Sequence, residues 1–121
     1  MKDLATTIDT YLEAYSETNE ARRDQLIDRV FVRDGRLVDP PLEAQGRAAI
    51  SGMAAAVHGQ FPGHRFRRST AIDDHHGFAR YGWELVDSSG AVTLAGMDVT
   101  EVDTNGQIVR VTGFFGDLPV K

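Results

Sequence analysis

The sequence predicts an α+β fold in which helices from the first half of the chain pack on a curved antiparallel sheet formed by the second half. Before residue 62, apolar residues recur at helical spacing, whereas the later segments carry the alternation of strands. Clusters of Asp, His, Ser, Asn and Gly separate those later segments, as expected of turns. Helices first and a meander of strands afterwards is the order typical of this fold class.

Two helices are expected in the first 30 residues. The apolar positions of the first helix are Leu4, Ile8, Tyr11, Leu12 and Tyr15. Asn19 can cap the second helix, because an asparagine side chain accepts a hydrogen bond from a free amide of the first turn. The apolar positions of this second helix include Leu26, Ile27 and Val30.

A turn and a third helix follow. Asp34-Gly35 suggests a turn, and residues 37–41 form an extended stretch that ends in two prolines. The third helix is expected to start at Gly46 and to end at Pro62-Gly63. Its apolar face consists of Ile50, Met53, Ala54, Val57 and Phe61.

Four strands are predicted at residues 64–72, 78–86, 92–102 and 107–115. Asn105-Gly106 is a favoured pair for a two-residue type I′ hairpin. If these two residues form the loop, Thr104 pairs with Gln107 and Asp98 falls opposite Gly113. The expected antiparallel register then determines which side chains share a face of the sheet.

That register places the carboxyl group of Asp98 in the middle of an apolar and aromatic face. Gly96 and Gly113 lie beside it and are expected to leave space that side chains would otherwise fill. An ionised, unpaired carboxylate is costly there, so Asp98 either accepts hydrogen bonds from its neighbours or is a neutral acid in a pocket. The other members of this face are Ala79, Tyr81, Trp83, Leu85, Val92, Leu94, Thr100, Val102, Val109, Val111 and Phe115.

Length and composition exclude several classes of protein. The 121 residues suffice for one domain, taken as 1–121, and are too few for two ordinary ones. A net charge of −5 without a basic stripe disfavours binding to nucleic acid or to anionic membranes. The absence of cysteine excludes disulfides and thiolate chemistry. No segment has the length and apolarity of a membrane span or a signal peptide, so a cytoplasmic location is expected.

Tyr11 lies in the first helix, Asp39-Pro40 at a strand end, residues 46–50 open the third helix and residues 95–98 lie on a late strand. Together these features resemble the ketosteroid isomerases and the wider NTF2-like superfamily with its SnoaL-like members. The resemblance continues through Asn105-Gly106 to Phe114-Phe115-Gly116 and covers nearly the whole chain. It implies a cone-shaped fold.

The resemblance also implies catalytic roles. By position, Asp39 corresponds to the base that shuttles a proton, and Tyr11 and Asp98 correspond to the donors that stabilise the oxyanion. The isomerases support that tyrosine with further tyrosines, whereas Phe31 and Ala54 occupy the corresponding positions here. Tyr15 or water could replace the missing support.

A pocket between the helices and the sheet would hold a small apolar molecule, such as a cyclic ketone, without a cofactor. The candidate ligand-binding residues are Tyr15, Phe31, Ala54, Val57, Phe61, Tyr81, Trp83, Gly96, Val111, Gly113 and Phe115. No metal site is expected, because no histidine pair has helical i,i+4 spacing and no thiolate is available. The opposite face of the sheet carries Met97, Val99 and Phe114, an apolar stripe that suggests a homodimer through the sheet.

The resulting hypothesis is an isomerase or cyclase that transfers a proton beside a carbonyl group without a cofactor. Two alternatives stay open: a ligand-binding module without a competent base, and a dimerisation domain without a pocket. The three readings differ in whether Asp39, Tyr11 and Asp98 converge on one site.

Overall fold

The computed structural model describes residues 3–121 and contains three helices and one mixed, curved sheet. The helices are α1 (Leu4–Ser16), α2 (Glu20–Val30) and α3 (Arg47–Gln60). The strands are β1 (Phe31–Asp39), β2 (Leu42–Gln45), β3 (Arg65–Arg68), β4 (Asp73–His75), β5 (Phe78–Val86), β6 (Val92–Val102) and β7 (Ile108–Phe115). The α+β prediction is therefore confirmed.

Each helix begins with a residue suited to its first turn. The side chain of Asp3 accepts from the Thr6 amide at 3.1 Å, and that of Asn19 accepts from the Arg22 amide at 2.9 Å. The predicted cap at Asn19 is thus confirmed. Gly46 precedes α3 with a φ of 89°, a conformation that glycine adopts without strain.

The sheet has the strand order β2-β1-β7-β6-β5-β3, and β4 also pairs with β5. Strands β5, β6 and β7 form the predicted antiparallel meander. Strand β1 lies parallel to β7, which makes the sheet mixed rather than wholly antiparallel. This parallel pair brings the end of β1 beside the middle of β7, where Val38 pairs with Thr112.

Three details of the predicted elements were wrong. Asp34-Gly35 is not a turn but part of β1, at an irregularity in its pairing with β7. A Cβ at Gly35 would lie 2.7 Å from Cδ1 of Phe31, so the glycine makes room for that ring. Strand β2 was not predicted, and the single strand expected at 64–72 is divided into β3 and β4.

The loop between β6 and β7 also differs from the prediction. Asp103 and Gln107 close a loop of three residues, and Gly106 has a φ of 79°. This geometry shifts the pairing by one residue, so that Val102 pairs with Ile108. An irregularity at Val109 shifts it back, and the predicted pairing of Asp98 with Gly113 is confirmed.

The core lies between the helices and one face of the sheet. Ile8, Ile27, Leu37 and Val111 are at most 1% exposed there. Ile108 also belongs to this core, although the regular register had placed it on the opposite face. Within residues 3–121, no helix has the length and apolarity required to cross a bilayer.

Candidate functional site

Asp39 and Asp98 lie on either side of Gly113. Gly113 on β7 pairs with Asp98 on β6, and Asp39 continues β1 just beyond the pairing of Val38 with Thr112. A Cβ at Gly113 would lie 2.9 Å from the Asp39 Cβ, 3.0 Å from Asp98 Oδ1 and 3.7 Å from Asp39 Oδ2. Both carboxyl groups therefore adjoin one point of the sheet, and we call them the carboxyl pair.

The carboxyl group of Asp98 is buried and hydrogen-bonded. Asp98 is 4% exposed, and the hydroxyl of Tyr81 donates to its Oδ2 at 3.3 Å. Burial raises the pKa of Asp98 to about 7, and the nearby charge of Asp39 adds to the rise. The hydrogen bond from Tyr81 opposes it, because it stabilises the ionised carboxylate. Near neutral pH, Asp98 is thus divided between its neutral and ionised forms.

The carboxyl group of Asp39 has a different environment. Asp39 is only partly buried and precedes the exposed Pro40, yet its Oδ1 is buried and has no hydrogen-bond partner. Desolvation raises the pKa of Asp39 to about 6. The carboxyl group is therefore largely ionised at neutral pH, and one oxygen of it is free to accept a proton or a hydrogen bond.

Three buried tyrosines lie close enough to the carboxyl pair for its charges to raise their pKa values. Tyr11 and Tyr15 extend from α1, and Tyr81 extends from β5; each is at most 4% exposed. Burial, followed by the charge of Asp98, raises the pKa of Tyr11 well above its usual value. Burial likewise raises the pKa of Tyr15 and of Tyr81. All three phenols are therefore hydrogen-bond donors at neutral pH.

The hydroxyls of these tyrosines differ in their partners. Tyr81 Oη lies 2.8 Å from Thr100 Oγ1 in addition to its bond with Asp98. Tyr15 Oη is buried and has no hydrogen-bond partner. The charge of Asp98 acts on Tyr11 more strongly than that of Asp39, whereas Asp39 acts more strongly on Tyr15. Tyr11 thus belongs to the Asp98 end of the site and Tyr15 to the Asp39 end.

The other candidate ligand-binding residues are distributed over three regions. Phe31, Ala54 and Val111 are fully buried in the core, and Val57 is partly buried against it. Phe61 lies at the C-terminal end of α3, where its ring contacts His64 with centroids 5.6 Å apart. Phe115 is 45% exposed, and its ring packs edge-on against Trp83 at 5.7 Å.

A row of aromatic rings connects Phe115 to the tyrosines of α1. Trp83 contacts Phe66 at 5.5 Å between centroids, Phe66 contacts Tyr15 at 5.1 Å, and Tyr15 contacts Tyr11 at 6.0 Å. Phe66 was not predicted as a member of this row. It lies among three arginines, on a strand of only four residues. Thr100 was placed on the correct face but not recognised as the partner of Tyr81.

The two glycines beside Asp98 do not leave open space. A Cβ at Gly96 would meet the Trp83 ring at 2.5 Å as well as the Phe114 carbonyl. At Gly113 the room is taken by Asp39. The expectation of a hollow at Gly96 was therefore wrong, because the Trp83 indole fills that space. At Gly113, the missing side chain allows the two carboxyl groups to approach each other.

No group of three His, Asp or Glu side chains with the geometry of a metal site occurs within residues 3–121. His75 and His76 lie in an exposed turn, with their Nδ1 atoms 3.1 Å apart. His64 Nε2 lies 2.8 Å from Thr93 Oγ1, near the start of β6. These imidazoles have contacts of their own, separate from those of the carboxyl pair.

Comparison with known proteins identifies relatives of this chain. The sequence model of the SnoaL-like domain matches residues 9–111. A crystal structure from Agrobacterium tumefaciens strain C58, named provisionally as an isomerase of the SnoaL-like family, is 33% identical with a TM-score of 0.88. The similarity covers 97% of this chain and 100% of that one. No curated protein matches the sequence.

More distant structures share the fold. An NTF2-like protein of unknown function from Exiguobacterium is 20% identical with a TM-score of 0.68, covering 93% of this chain and 99% of that one. A protein with a ketosteroid isomerase-like fold from Catenulispora acidiphila, in complex with trimethylamine, is 15% identical with a TM-score of 0.72. Here the coverage is 91% of this chain and 85% of that one. The predicted NTF2-like fold is thereby confirmed.

Proposed function

This chain belongs to the SnoaL-like family, and on that premise we propose that it transfers a proton beside the carbonyl group of a small, largely apolar compound. Because one fold hosts many functions, the proposal depends on the site and not on the family alone. Its main support is the buried, unpartnered Oδ1 of Asp39, held across Gly113 from the buried carboxyl group of Asp98. A cyclic ketone is the simplest substrate of this class.

The two carboxyl groups have complementary roles in this mechanism. Asp39, the more exposed and largely ionised member, removes a proton from the carbon next to the carbonyl. The electron pair of the broken C–H bond forms a carbon–carbon double bond, and the π pair of the carbonyl group moves to its oxygen, which becomes negative. Neutral Asp98 and Tyr11 donate hydrogen bonds to that oxygen and stabilise it in a poorly solvated setting. Asp39 then returns the proton to carbon, so the reaction needs no other reactant.

The burial of the donors suits this role. Donors that are already desolvated and oriented require little reorganisation when negative charge develops on the substrate. Asp98 can donate only while it is protonated, which its raised pKa allows near neutral pH. The Tyr81 hydroxyl, which also contacts Thr100, donates to Oδ2 of Asp98, while Oδ1 lies beside Gly113 and Asp39.

The proposal is tested by following deuterium incorporation into a cyclic ketone, 2-tetralone, in heavy water. The wild type should accelerate exchange next to the carbonyl. Asp39→Asn should lower that rate at least about 100-fold, the usual scale for a lost general base, and change ligand affinity only several-fold. Asp74→Asn is the matched control, because Asp74 is exposed on β4 and should leave the rate unchanged.

The outcomes separate the candidate functions. Equal exchange by the wild type and Asp39→Asn would show that Asp39 is not the base. Binding of 2-tetralone without accelerated exchange would favour a ligand-binding module over an enzyme.

We also propose that the outer face of the sheet joins two copies of the chain. Met97 pairs with Phe114 across β6 and β7, and Val99 lies two residues further along the same face. Phe114 is 51% exposed, which is a large apolar surface for one side chain. Ion pairs between Arg80 and Asp73 and between Arg110 and Glu101 border this stripe.

A further inference from the structure

The hydroxyl of Tyr15 has no use in the mechanism above, although it lies beside the carboxyl pair. Tyr15 is 3% exposed, and its Oη has no hydrogen-bond partner. A buried hydroxyl without a partner is costly, because it has lost its hydrogen bonds to water. Such groups are uncommon in folded proteins, so each one needs an explanation, for example a catalytic role or a bound water or ion.

The position of the Tyr15 ring is set by its neighbours. Its centroid lies 6.0 Å from that of Tyr11 and 5.1 Å from that of Phe66. The next residue, Ser16, accepts a hydrogen bond from the Phe66 amide at 2.8 Å, which attaches this turn of α1 to β3. The ring therefore contacts two other aromatic rings, and its hydroxyl cannot turn to solvent without disturbing these contacts.

Two unpartnered polar atoms occur at the same end of the site. One is Tyr15 Oη and the other is Asp39 Oδ1. Asp39 is the carboxyl group that acts most strongly on Tyr15, ahead of Asp98. By contrast, Oδ2 of Asp98 accepts a hydrogen bond from Tyr81, whose hydroxyl also contacts Thr100. The Asp39 end of the site thus holds an unpartnered donor, Tyr15 Oη, and an unpartnered acceptor, Asp39 Oδ1.

We infer that Tyr15 is a specificity-determining residue, whose hydroxyl donates a hydrogen bond to a second oxygen of the substrate. That oxygen lies on the side of the reacting carbon that faces Asp39, while Asp98 and Tyr11 receive the first oxygen. The substrate is therefore a carbonyl compound with a second oxygen function, either a hydroxyl or a carbonyl. This inference rests on the proposed function for the position of the reacting carbon.

The same geometry explains how the site discriminates between ligands. A ligand with only one oxygen leaves Tyr15 Oη unpaired in the complex, and a site built for a hydrogen bond rejects such analogues. A ligand with two oxygens satisfies that hydroxyl. The free protein accepts the cost of the unpaired group, as many binding sites do.

The experiment compares ligands that share one skeleton. The probes are 2-naphthol, with one oxygen, and 1,3-, 1,6- and 2,7-dihydroxynaphthalene, with two. Their dissociation constants are measured by calorimetry for the wild type, Tyr15→Phe and Tyr81→Phe. The wild type should bind at least one dihydroxy isomer about tenfold more tightly than 2-naphthol, the scale of a well-formed hydrogen bond. Tyr15→Phe should reduce that preference to within about twofold.

Thermal unfolding without ligand distinguishes this role from a structural one. Tyr15→Phe removes a hydroxyl that has no partner, so its Tm should equal or exceed that of the wild type. Tyr81→Phe is the matched control, because it removes a hydroxyl bonded to Thr100 and Asp98 and should lower the Tm.

Three results would overturn the inference: no preference for any dihydroxy isomer in the wild type, an unchanged preference in Tyr15→Phe, or a lower Tm for Tyr15→Phe. Failure of the proposed catalysis gives a different result. Deuterium exchange is then absent, but the wild type still prefers a dihydroxynaphthalene over 2-naphthol and Tyr15→Phe does not. That result would support the role of Tyr15 in ligand recognition without catalysis.

Discussion

Asp39 and Asp98 approach each other from two strands because Gly113, which lies between them on β7, has no side chain. An oxygen of each carboxyl group lies within 3.7 Å of the position that a Cβ of Gly113 would occupy, so the two oxygens are less than twice that distance apart. At such a separation, the ionisation of one carboxyl group opposes that of the other. Gly113 therefore influences both the geometry and the protonation of the site.

Gly113→Ala tests this relationship. The new methyl group would lie 2.9 Å from Asp39 Cβ and 3.0 Å from Asp98 Oδ1, so both side chains must move. We expect a loss of about 1–3 kcal/mol in the free energy of unfolding, the usual cost of overpacking, together with slower proton exchange. Urea unfolding and the heavy-water assay measure the two effects.

Gly52→Ala is the control for this substitution. Gly52 lies in α3, and a Cβ there would meet nothing within 4 Å. Since alanine favours a helix interior, we expect this variant to gain about 0.5–1 kcal/mol and to keep its activity. A Gly113→Ala protein as stable and active as the wild type would contradict the arrangement of the carboxyl pair.

The raised pKa of Asp98 predicts how stability depends on pH. Between its unfolded value of 3.8 and its folded value of about 7, the folded chain binds the proton that the unfolded chain has lost. Stability therefore falls as pH rises through this interval, by at most about 1.4 kcal/mol per pH unit, and levels off above it. Asp39, with its pKa raised to about 6, contributes in the same direction over a shorter interval.

Asp98→Asn should remove the contribution of Asp98. Relative to the wild type, the variant should gain stability from pH 4 to pH 8, by up to about 4 kcal/mol. Urea unfolding at pH 4, 6 and 8 provides the comparison, with Asp74→Asn as the exposed control. If the difference between Asp98→Asn and the wild type does not change with pH, Asp98 is ionised normally in the folded protein.

Tyr81→Phe should raise the pKa of Asp98 further. The Tyr81 hydroxyl donates to Asp98 Oδ2, which favours the ionised form, so its removal favours the neutral one. The lost hydrogen bonds should also cost about 1 kcal/mol of stability. Carboxyl NMR titration measures the pKa, and a decrease in the variant would contradict the assigned hydrogen bond.

Val99→Lys should dissociate the proposed dimer, because it would place a charge in the middle of a desolvated contact. Sedimentation velocity at micromolar concentration should show a dimer for the wild type and a 13.3 kDa monomer for the variant. Val92→Lys is the control, since Val92 is 48% exposed at the start of β6, outside the stripe. A wild type that sediments only as the monomer would disprove the proposal.

The register around Asp98 could be predicted from the sequence, although the predicted loop length was wrong. Asn105-Gly106 correctly indicated a hairpin between β6 and β7, but its loop has three residues and not two. The resulting shift of one residue is reversed at Val109. Two local irregularities thus cancel, and the pairing of residues 79–85 with residues 94–100, which contains Asp98, is regular. A pattern of polar and apolar residues shows that alternation but does not show where a bulge occurs.

The rest of the site depends on contacts between distant parts of the chain. The parallel pairing of β1 with β7, which brings Asp39 beside Gly113, has no local signal. Nor could the sequence show that the Trp83 indole fills the space at Gly96, because side-chain packing follows from the assembled sheet. The position of Asp39 near Asp98 was anticipated only through the resemblance to known isomerases.

The parallel pairing of β1 with β7 also determines when the site can form during protein synthesis. Helix α1 and the β1–β2 hairpin lie within residues 4–45, whereas β7 follows more than 60 residues later, at 108–115. Asp39 meets Asp98 only after Arg36, Leu37 and Val38 have paired with residues 110–112. Contacts so distant in sequence form late and slowly. A nascent chain that lacks β7 therefore cannot assemble the carboxyl pair, and chemistry at this site requires that β7 has been synthesised and has paired with β1.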